Sequence, residues 1–150
     1  MNKEKKLIPG LPSGFEDRWE IKLLLKKKLL KAIENNFIKF GAEPLETPSF
    51  EISENIGSFL AEDEANPMSD VFSFQDGEKS ITLRYDLSSP LARFVAQNNQ
   101  ELPSIFKRYQ IQNVFRNEKA GNGRYRDLCK QTLILLGMLI QHREMQNFVI

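Results

Sequence analysis

Apolar residues between positions 16 and 40 recur every fourth residue, at Ile21, Leu25, Leu29, Ile33 and Phe37. This spacing places them on one face of an α-helix, and Gly41 follows where such a helix would end. The lysines at 22 and 26–28 fall on other sides. The pattern predicts one long amphipathic helix over residues 16–40.

Two segments show the alternation of apolar and polar residues that is typical of strands. Residues 105–115 would place Ile105, Lys107, Tyr109, Ile111, Asn113 and Phe115 on one side and the residues between them on the other, which predicts a long strand with both faces occupied. Residues 71–75 and 80–83 are separated by residues 76–79, in which Asp76-Gly77 supplies the positive φ angles of a tight turn. This segment predicts a β-hairpin.

The remaining elements are predicted from prolines and from residues that favour helix ends. Two prolines in residues 41–48 favour an edge or interface strand, because proline cannot donate to a β-ladder. A short helix is expected over residues 51–60 and a loop over 62–69. Ser88-Ser89-Pro90 suits a helix start and predicts a helix to about residue 98. This order predicts an α+β fold with an antiparallel sheet flanked by helices.

The composition is that of one soluble domain: 150 residues, 41% hydrophobic and 27% charged. The longest apolar run, residues 133–140, is far shorter than the roughly 20 residues that a membrane helix needs. No signal peptide is recognisable at the start, so no membrane association and a cytoplasmic location are expected. Cys129 and His142 are the only cysteine and histidine. We therefore expect no metal site.

The net charge of +1 conceals three blocks of alternating sign. Residues 1–31 hold nine Lys or Arg against four Asp or Glu, residues 43–86 hold two against eleven, and residues 93–130 hold eight against three. Such blocks are usually solvated faces, and this is the preferred interpretation of the lysine-rich start. The third block contains the candidate chemistry.

Arg116 and Glu118 are two residues apart and would point to the same face of a strand, and Arg124 returns from a glycine-containing loop. Forked cations suit a triphosphate, and a carboxylate can accept from an adenine amino group. The alternative is an ordinary surface ladder of ion pairs, which contributes little energy. From the pattern alone the two interpretations are about evenly balanced.

A second cluster lies where the hairpin meets the helix start at residue 88. Asp86 could hold a substrate ammonium group, and Ser88 could hydrogen-bond to it. Spacing alone favours the alternative, in which both residues form an N-terminal capping box.

Together these clusters resemble the histidyl-tRNA synthetases, a family of class II aminoacyl-tRNA synthetases. The resemblance spans residues 8–127. It is carried by Pro12-Ser13-Gly14-Phe15, residues 40–48 as the family's first class motif, Phe72-Ser73-Phe74, residues 83–88, Lys107-Arg108-Tyr109-Gln110, residues 115–118 and Gly123-Arg124-Tyr125-Arg126.

The resemblance implies a role for each candidate residue. Arg116 would bind the ATP α-phosphate and the histidine carboxylate, Glu118 the adenine, and Arg124 the γ-phosphate. Asp86 and Ser88 would hold the histidine ammonium group, with Ser88 standing where the family usually has threonine.

The implied reaction is attack of the histidine carboxylate on the ATP α-phosphorus, which gives histidyl-adenylate and releases pyrophosphate, followed by transfer of the histidyl group to tRNA. A carboxylate needs no general base, so arginine and Mg²⁺ bound with ATP would stabilise the charge on the α-phosphate. The resemblance also implies a homodimer through the first motif, which includes Pro48.

The resemblance ends at Asp127, so we divide the chain into a partial catalytic core, residues 1–127, and a divergent tail, residues 128–150. The family has a glutamine and acidic residues on the strand after Arg126. Here Lys130 and Ile134 stand in those places, and neither can replace a glutamine or a carboxylate.

The genetic code suggests a shifted reading frame. A shifted codon is formed by joining the last base of one codon to the first two bases of the next. The shifted codon from residues 127 and 128 can encode Phe, and Gln is the only amino acid that the shifted codon from residues 129 and 130 can encode. The shifted codons permit Asp or Asn at 131/132 and Asp at 133/134. This run matches the family, so we interpret residues 128–150 as out of frame, and Cys129 and His142 as accidents of that frame. The alternative is a divergent but genuine apolar helix.

The sequence is therefore interpreted as the N-terminal portion of a histidine–tRNA ligase, inactive as this chain alone. One alternative is a synthetase-like binding protein such as the regulatory subunit of ATP phosphoribosyltransferase. Another is an expressed fragment that only dimerises.

Overall fold

The computed structural model describes residues 8–56 and 71–137. Within them the secondary structure follows the chain as α1 Glu20–Lys39, β1 Glu43–Pro44, β2 Phe50–Ile52, β3 Ser73–Asp76, β4 Lys79–Leu83, α2 Ser88–Asn98, β5 Ile105–Phe115 and β6 Asp127–Gly137. The predicted helix over residues 16–40 starts later, at Glu20. The predictions for β5 and α2 agree with the structure in position and type.

The strands form two three-stranded sheets, ordered β1-β5-β6 and β2-β4-β3. β5 and β6 pair antiparallel over their full length, from Ile105↔Gly137 to Phe115↔Asp127. The short β1 pairs with β5 in parallel. The α+β prediction is confirmed, and so is the edge position of β1. The parallel β1–β5 pair is an addition to the predicted antiparallel sheet.

The predicted hairpin is confirmed as β3 and β4. Asp76 pairs with Lys79, so Gly77 and the following residue form the two-residue turn. Gly77 has a φ of 61°. A positive φ is readily accessible to glycine alone, which explains why the turn occurs here.

The predicted helix over residues 51–60 is wrong where the structure describes it. Residues 50–52 form β2, paired with β4, and Ser53–Ile56 form a short 3-10 helix. Glu51 is buried, and its carboxylate accepts two hydrogen bonds from Arg93 of α2. This distant partner, invisible in the local pattern, favours the strand. Residues 57–60 and the predicted loop 62–69 lie outside the described residues.

The predicted apolar face of α1 is only partly packed. Phe37 lies against Tyr109 of β5, with ring centroids 5.6 Å apart. By contrast Ile21, Leu25 and Leu29 are 62%, 58% and 61% exposed. Only the C-terminal half of the helix therefore contacts the described part of the molecule through that face.

The apolar core lies between α2 and the β5–β6 ladder. Leu91 and Val95 of α2 pack with Phe106 of β5. Ile134 and Leu136 of β6 lie against this cluster. β6 is thus a packed strand, and the alternative prediction of an apolar helix is wrong for residues 127–137. β6 begins at Asp127 and continues without a break to Gly137, and the origin of residues 128–150 stays a prediction.

The rest of the tail, including His142, lies outside the described residues. In the part of the chain that the structure describes, no helix is long and apolar enough to cross a membrane.

Candidate ligand site at the end of β5

Arg116 follows directly after β5, and its guanidinium carbon lies 4.5 Å from the centre of the Tyr85 ring. Its Nη1 atom is 3.6 Å from Glu118 Oε1, and the Tyr85 hydroxyl donates to the same oxygen at 3.2 Å. The aromatic ring fixes the guanidinium plane by cation–π attraction. Arg116 Nε is buried and has no hydrogen-bond partner among the described residues. The Arg116 guanidinium is therefore held in a fixed orientation, and its Nε–H group is available to a ligand.

The loop after Glu118 brings two more arginines to this residue, one to its carboxyl group and one to its backbone carbonyl oxygen. Arg124 Nε lies 3.9 Å from Glu118 Oε2, and the Arg124 side chain is 66% exposed. Arg126 Nε donates to the Glu118 carbonyl oxygen at 2.7 Å. The two ion pairs with Glu118 are long and partly exposed, so they contribute little to stability. Both cations remain accessible to an anionic ligand.

The loop is held from behind by the segment before α1. The backbone N–H of Arg126 donates to Gly14 O at 2.8 Å. The backbone C=O of Arg126 accepts from Arg116 N at 3.0 Å, which closes the base of the loop. The Arg126 guanidinium lies 5.5 Å from the centre of the Phe72 ring. These contacts hold the end of the loop that follows Arg124.

Asp86 caps α2. Its Oδ1 atom accepts from the backbone N–H groups of Ser88 and Ser89, at 3.2 and 3.1 Å. The predicted serine cap is wrong, since the N-cap position is Leu87 and makes no side-chain cap hydrogen bond. The capping interpretation itself is confirmed for Asp86, and it does not exclude a ligand.

A small pocket adjoins this cap. Its lining includes Glu51, Arg84, Tyr85, Asp86 and Ser89. Tyr85 is shared between this pocket and the Arg116 cluster, so the two clusters that the sequence singled out are neighbours. The sequence alone assigned no role to Tyr85. Its position between Arg84 and Asp86, within a segment already singled out, was the one signal that it lies near the site.

Arg84 ties the site to the segment after β1. Its Nη1 donates to the carbonyl oxygens of Thr47 and Pro48, at 2.7 and 3.2 Å, and its Nε donates to Asn113 O at 2.6 Å. Burial lowers the pKa of the Arg84 guanidinium. Pro48, predicted from the resemblance as part of a dimer interface, has an exposed side chain here.

A buried polar row on β5 continues from this anchor. Gln112 Nε2 donates to Thr47 O at 3.0 Å, and Gln110 Nε2 donates to Thr47 Oγ1 at 2.8 Å and to Gln112 Oε1. Arg108 Nη1 donates to Gln110 Oε1 at 2.5 Å. Burial lowers the pKa of Arg108 to about 10. The sequence showed polar residues at alternate positions of this strand but not that they are buried.

The structure thus brings together Arg116, Glu118 and Arg124, with Asp86 and Ser88 at the adjoining helix start. Within residues 8–56 and 71–137, no three His, Cys, Asp or Glu side chains form a group that could hold a metal ion. Cys129 is half-buried on β6, away from this cluster in the pairing, opposite Asn113.

Comparison with known proteins agrees with the sequence motifs. The chain is 74% identical to the histidine–tRNA ligase of Pelagibacter ubique over 137 residues, which are 91% of this chain and 30% of that protein. It is 43% identical to that of Rhodopseudomonas palustris over 129 residues, covering 85% of this chain and 25% of the relative. The chain therefore spans less than a third of these relatives. No protein-family profile matches it.

Solved structures show the same fold. Histidyl-tRNA synthetase from Nostoc sp. PCC 7120 superposes with a TM-score of 0.72 at 26% identity, over 88% of this chain and 29% of that one. A structure described as an ATP phosphoribosyltransferase regulatory subunit/histidyl-tRNA synthetase from Bacillus halodurans C superposes with a TM-score of 0.71 over 89% of this chain and 33% of that one. At 22% identity the second likeness shows the fold alone. Over the part that it spans, the chain belongs to the histidine–tRNA ligase (histidyl-tRNA synthetase) family.

Proposed function

We propose that the chain forms the ATP- and histidine-binding part of a histidine–tRNA ligase catalytic domain and does not complete the reaction alone. The observation that carries this proposal is the Arg116 guanidinium, which is stacked on Tyr85 and has an unpartnered buried Nε beside Glu118 and Arg124. A structural ion pair would use this donor, whereas a phosphate or carboxylate ligand could accept from it.

In this proposal Arg116 binds the ATP α-phosphate and the histidine carboxylate. Arg124, on the exposed loop, reaches the γ-phosphate, and Glu118 accepts from the adenine amino group. Asp86 and Ser88 hold the histidine ammonium group from the start of α2. Mg²⁺ would arrive with the triphosphate, since it commonly binds through substrate phosphates rather than a protein cage.

These groups would act by position and charge. The histidine carboxylate is itself the nucleophile, so no side chain needs to remove a proton from it. Arg116 would neutralise the charge that builds on the α-phosphate as the carboxylate attacks. In the whole enzyme the activated histidine would pass to tRNA, and a cytoplasmic homodimer, with Pro48 near its interface, is proposed for it.

ATP binding tests the site directly. We expect the chain to bind ATP weakly and in a salt-sensitive way, and Arg116→Ala to weaken binding by about tenfold or more, because a charged hydrogen bond is lost. Lys107→Ala is the matched control, since it removes a positive charge from the opposite face of β5, where Lys107 Nζ donates to Phe40 O. Equal loss in both variants, or none in Arg116→Ala, would show that Arg116 belongs to a surface ion-pair ladder.

The completeness of the site is tested by ATP–pyrophosphate exchange. We expect no histidine-dependent exchange and no charging of tRNA, because Lys130 and Ile134 offer no acceptor to histidine. Exchange above the background of an Arg116→Ala control would contradict the proposal that the chain is inactive alone.

The second candidate, a regulatory subunit of ATP phosphoribosyltransferase, is supported by the fold likeness to the Bacillus halodurans structure. The 74% identity to a histidine–tRNA ligase favours the first proposal. Binding of ATP that depends on Arg116 would favour it further.

A further inference from the structure

Among the described residues, Arg108 has no ion-pair partner. It lies in the middle of β5 and is 0% exposed. Its Nη1 donates to Gln110 Oε1 at 2.5 Å and to Thr132 Oγ1 at 3.2 Å. Its Nε and Nη2 atoms have no hydrogen-bond partner among the described residues. A buried charge that is neither paired nor fully hydrogen-bonded is costly, so this arrangement is incomplete.

Another arginine of this protein, Arg93, shows how a carboxylate can bind the two donors that Arg108 leaves unpartnered. Arg93 donates through Nε and Nη2 to the two oxygens of buried Glu51, at 2.6 and 2.9 Å. The donors that are unpartnered in Arg108 are the same two atoms. They form the side of the guanidinium that fits a carboxylate in a bidentate manner. Arg108 therefore presents a carboxylate-binding edge.

Three side chains of β6 share the sheet face of Arg108, because alternate residues of a strand point to the same side. Lys130, Thr132 and Ile134 are paired with Gln112, Gln110 and Arg108 in the ladder. Lys130 is a cation, and Ile134 packs against the apolar cluster of α2. Thr132 already accepts from the guanidinium. The Thr132 Oγ1 atom contacts Nη1, at 3.2 Å, and not the unpartnered edge, so position 132 is the one of the three from which a carboxylate can reach the guanidinium.

The shifted reading frame can encode a carboxylate side chain at position 132. The codon pair 131/132 permits Asp or Asn, and the new residue would stand at position 132, just as glutamine would replace Lys130. We propose that Arg108 is the ion-pair partner of an aspartate at position 132 of the in-frame strand, which this chain has lost. The inference rests on the reading-frame prediction and on no ligand, so its failure would leave the proposed ATP site untouched.

The pair would have a consequence for the site. Arg108 is the far end of the row that runs through Gln110 and Gln112 to Thr47, whose carbonyl also accepts from Arg84. A carboxylate at position 132 would fix the guanidinium and hence the orientation of both glutamine amides. It would act as a positioning group beneath the site and would not touch the ligand.

A double-mutant cycle tests the pair in the 150-residue chain. We expect Thr132→Asp to raise the folding equilibrium constant, the ratio of native to unfolded protein, by about tenfold, because a hydrogen bond to a charged group forms. Thr132→Asn, of the same shape, should give less than a third of this gain. Combining Thr132→Asp with Arg108→Met should abolish it. Urea unfolding followed by far-UV circular dichroism measures each variant.

Gln131→Asp is the matched control, because it adds the same charge one residue away on the exposed face of β6. We expect it to show no coupling to Arg108. Pulse proteolysis of the same variants provides a second readout, with greater protection expected for Thr132→Asp alone. Equal gains from Asp and Asn, a gain that persists without Arg108, or no gain in either assay would overturn the proposal. A restored frame that encodes Asn at position 132 would overturn it as well.

Discussion

Four glycines of the described residues adopt a positive φ, and two of them, Gly14 and Gly77, differ in what surrounds them. Gly14 has a φ of 82°, and a Cβ atom built there would lie 2.8 Å from Arg126 Cγ. Gly77 has a φ of 61°, and no heavy atom lies within 4 Å of its would-be Cβ. A side chain at position 14 is disfavoured both by the positive φ and by the contact with Arg126. At position 77 it is disfavoured by the positive φ alone.

We therefore expect Gly14→Ala to cost more than Gly77→Ala. The turn variant should lose about 1 kcal/mol of unfolding free energy, since alanine is strained at positive φ. The Gly14 variant should lose that and about 1 kcal/mol more, because Arg126 must move. Chemical denaturation measures both. A smaller loss at Gly14 would show that the Gly14–Arg126 contact is not maintained in solution.

The buried pair of Glu51 and Arg93 gives a second prediction. Arg93→Leu should destabilise the chain by about 3 kcal/mol, because Glu51 would keep a buried charge without its partner. The exposed pair of Lys31 and Glu34, 2.8 Å apart, is the comparison, and Lys31→Leu should change stability little. Similar effects in the two variants, by thermal unfolding, would contradict the burial of Glu51.

Some residue roles could be predicted and others could not. The motif predicted that Arg116, Glu118 and Arg124 lie together, and they do, but the predicted strand face is wrong: β5 ends at Phe115, and the three residues meet in the loop between β5 and β6. Tyr85 and Arg108 were missed, since their roles depend on which residues far along the chain lie next to them. Burial of Arg108 follows from sheet pairing, which a single strand does not reveal.

At the scale of elements, α1 combines a packed end with an exposed one. Phe37 packs on Tyr109, whereas Leu25 is 58% exposed. We expect Phe37→Ala to cost about 2 kcal/mol of unfolding free energy and Leu25→Ala to stay within about 0.5 kcal/mol. Denaturation at low protein concentration measures both. A large loss at Leu25 that grows with protein concentration would instead show that this surface is covered by a second copy.

Predictions of elements succeeded where the pattern was local. The alternation of residues 105–115 and the turn glycine at 77 each determine their own geometry. The helix predicted over residues 51–60 failed because Glu51 is paired with Arg93, 42 residues away, and β2 is paired with β4. Long-range partners of this kind outweigh a local helical pattern.

At the scale of the whole molecule, the reading-frame hypothesis is tested on DNA. Restoring one base near codon 127 should replace Lys130 by glutamine and Ile134 by aspartate, and open a frame well beyond position 150. The restored gene should complement a strain that lacks histidine–tRNA ligase, and the present gene should not. A stop codon soon after the restored frame begins would contradict the hypothesis.

Contacts between the two ends of the described chain bear on when it can fold during synthesis. Arg18 donates to Asp127, 109 residues later, at 3.1 Å, and Gly14 O accepts from Arg126 N. At about 5–20 residues per second, a ribosome takes about 5–20 s to make the intervening chain. The segment before α1 therefore leaves the ribosome early and waits undocked until the loop that carries Arg124 has been made. The loop that carries Arg124 and the segment that supports it can assemble only at the end of that interval.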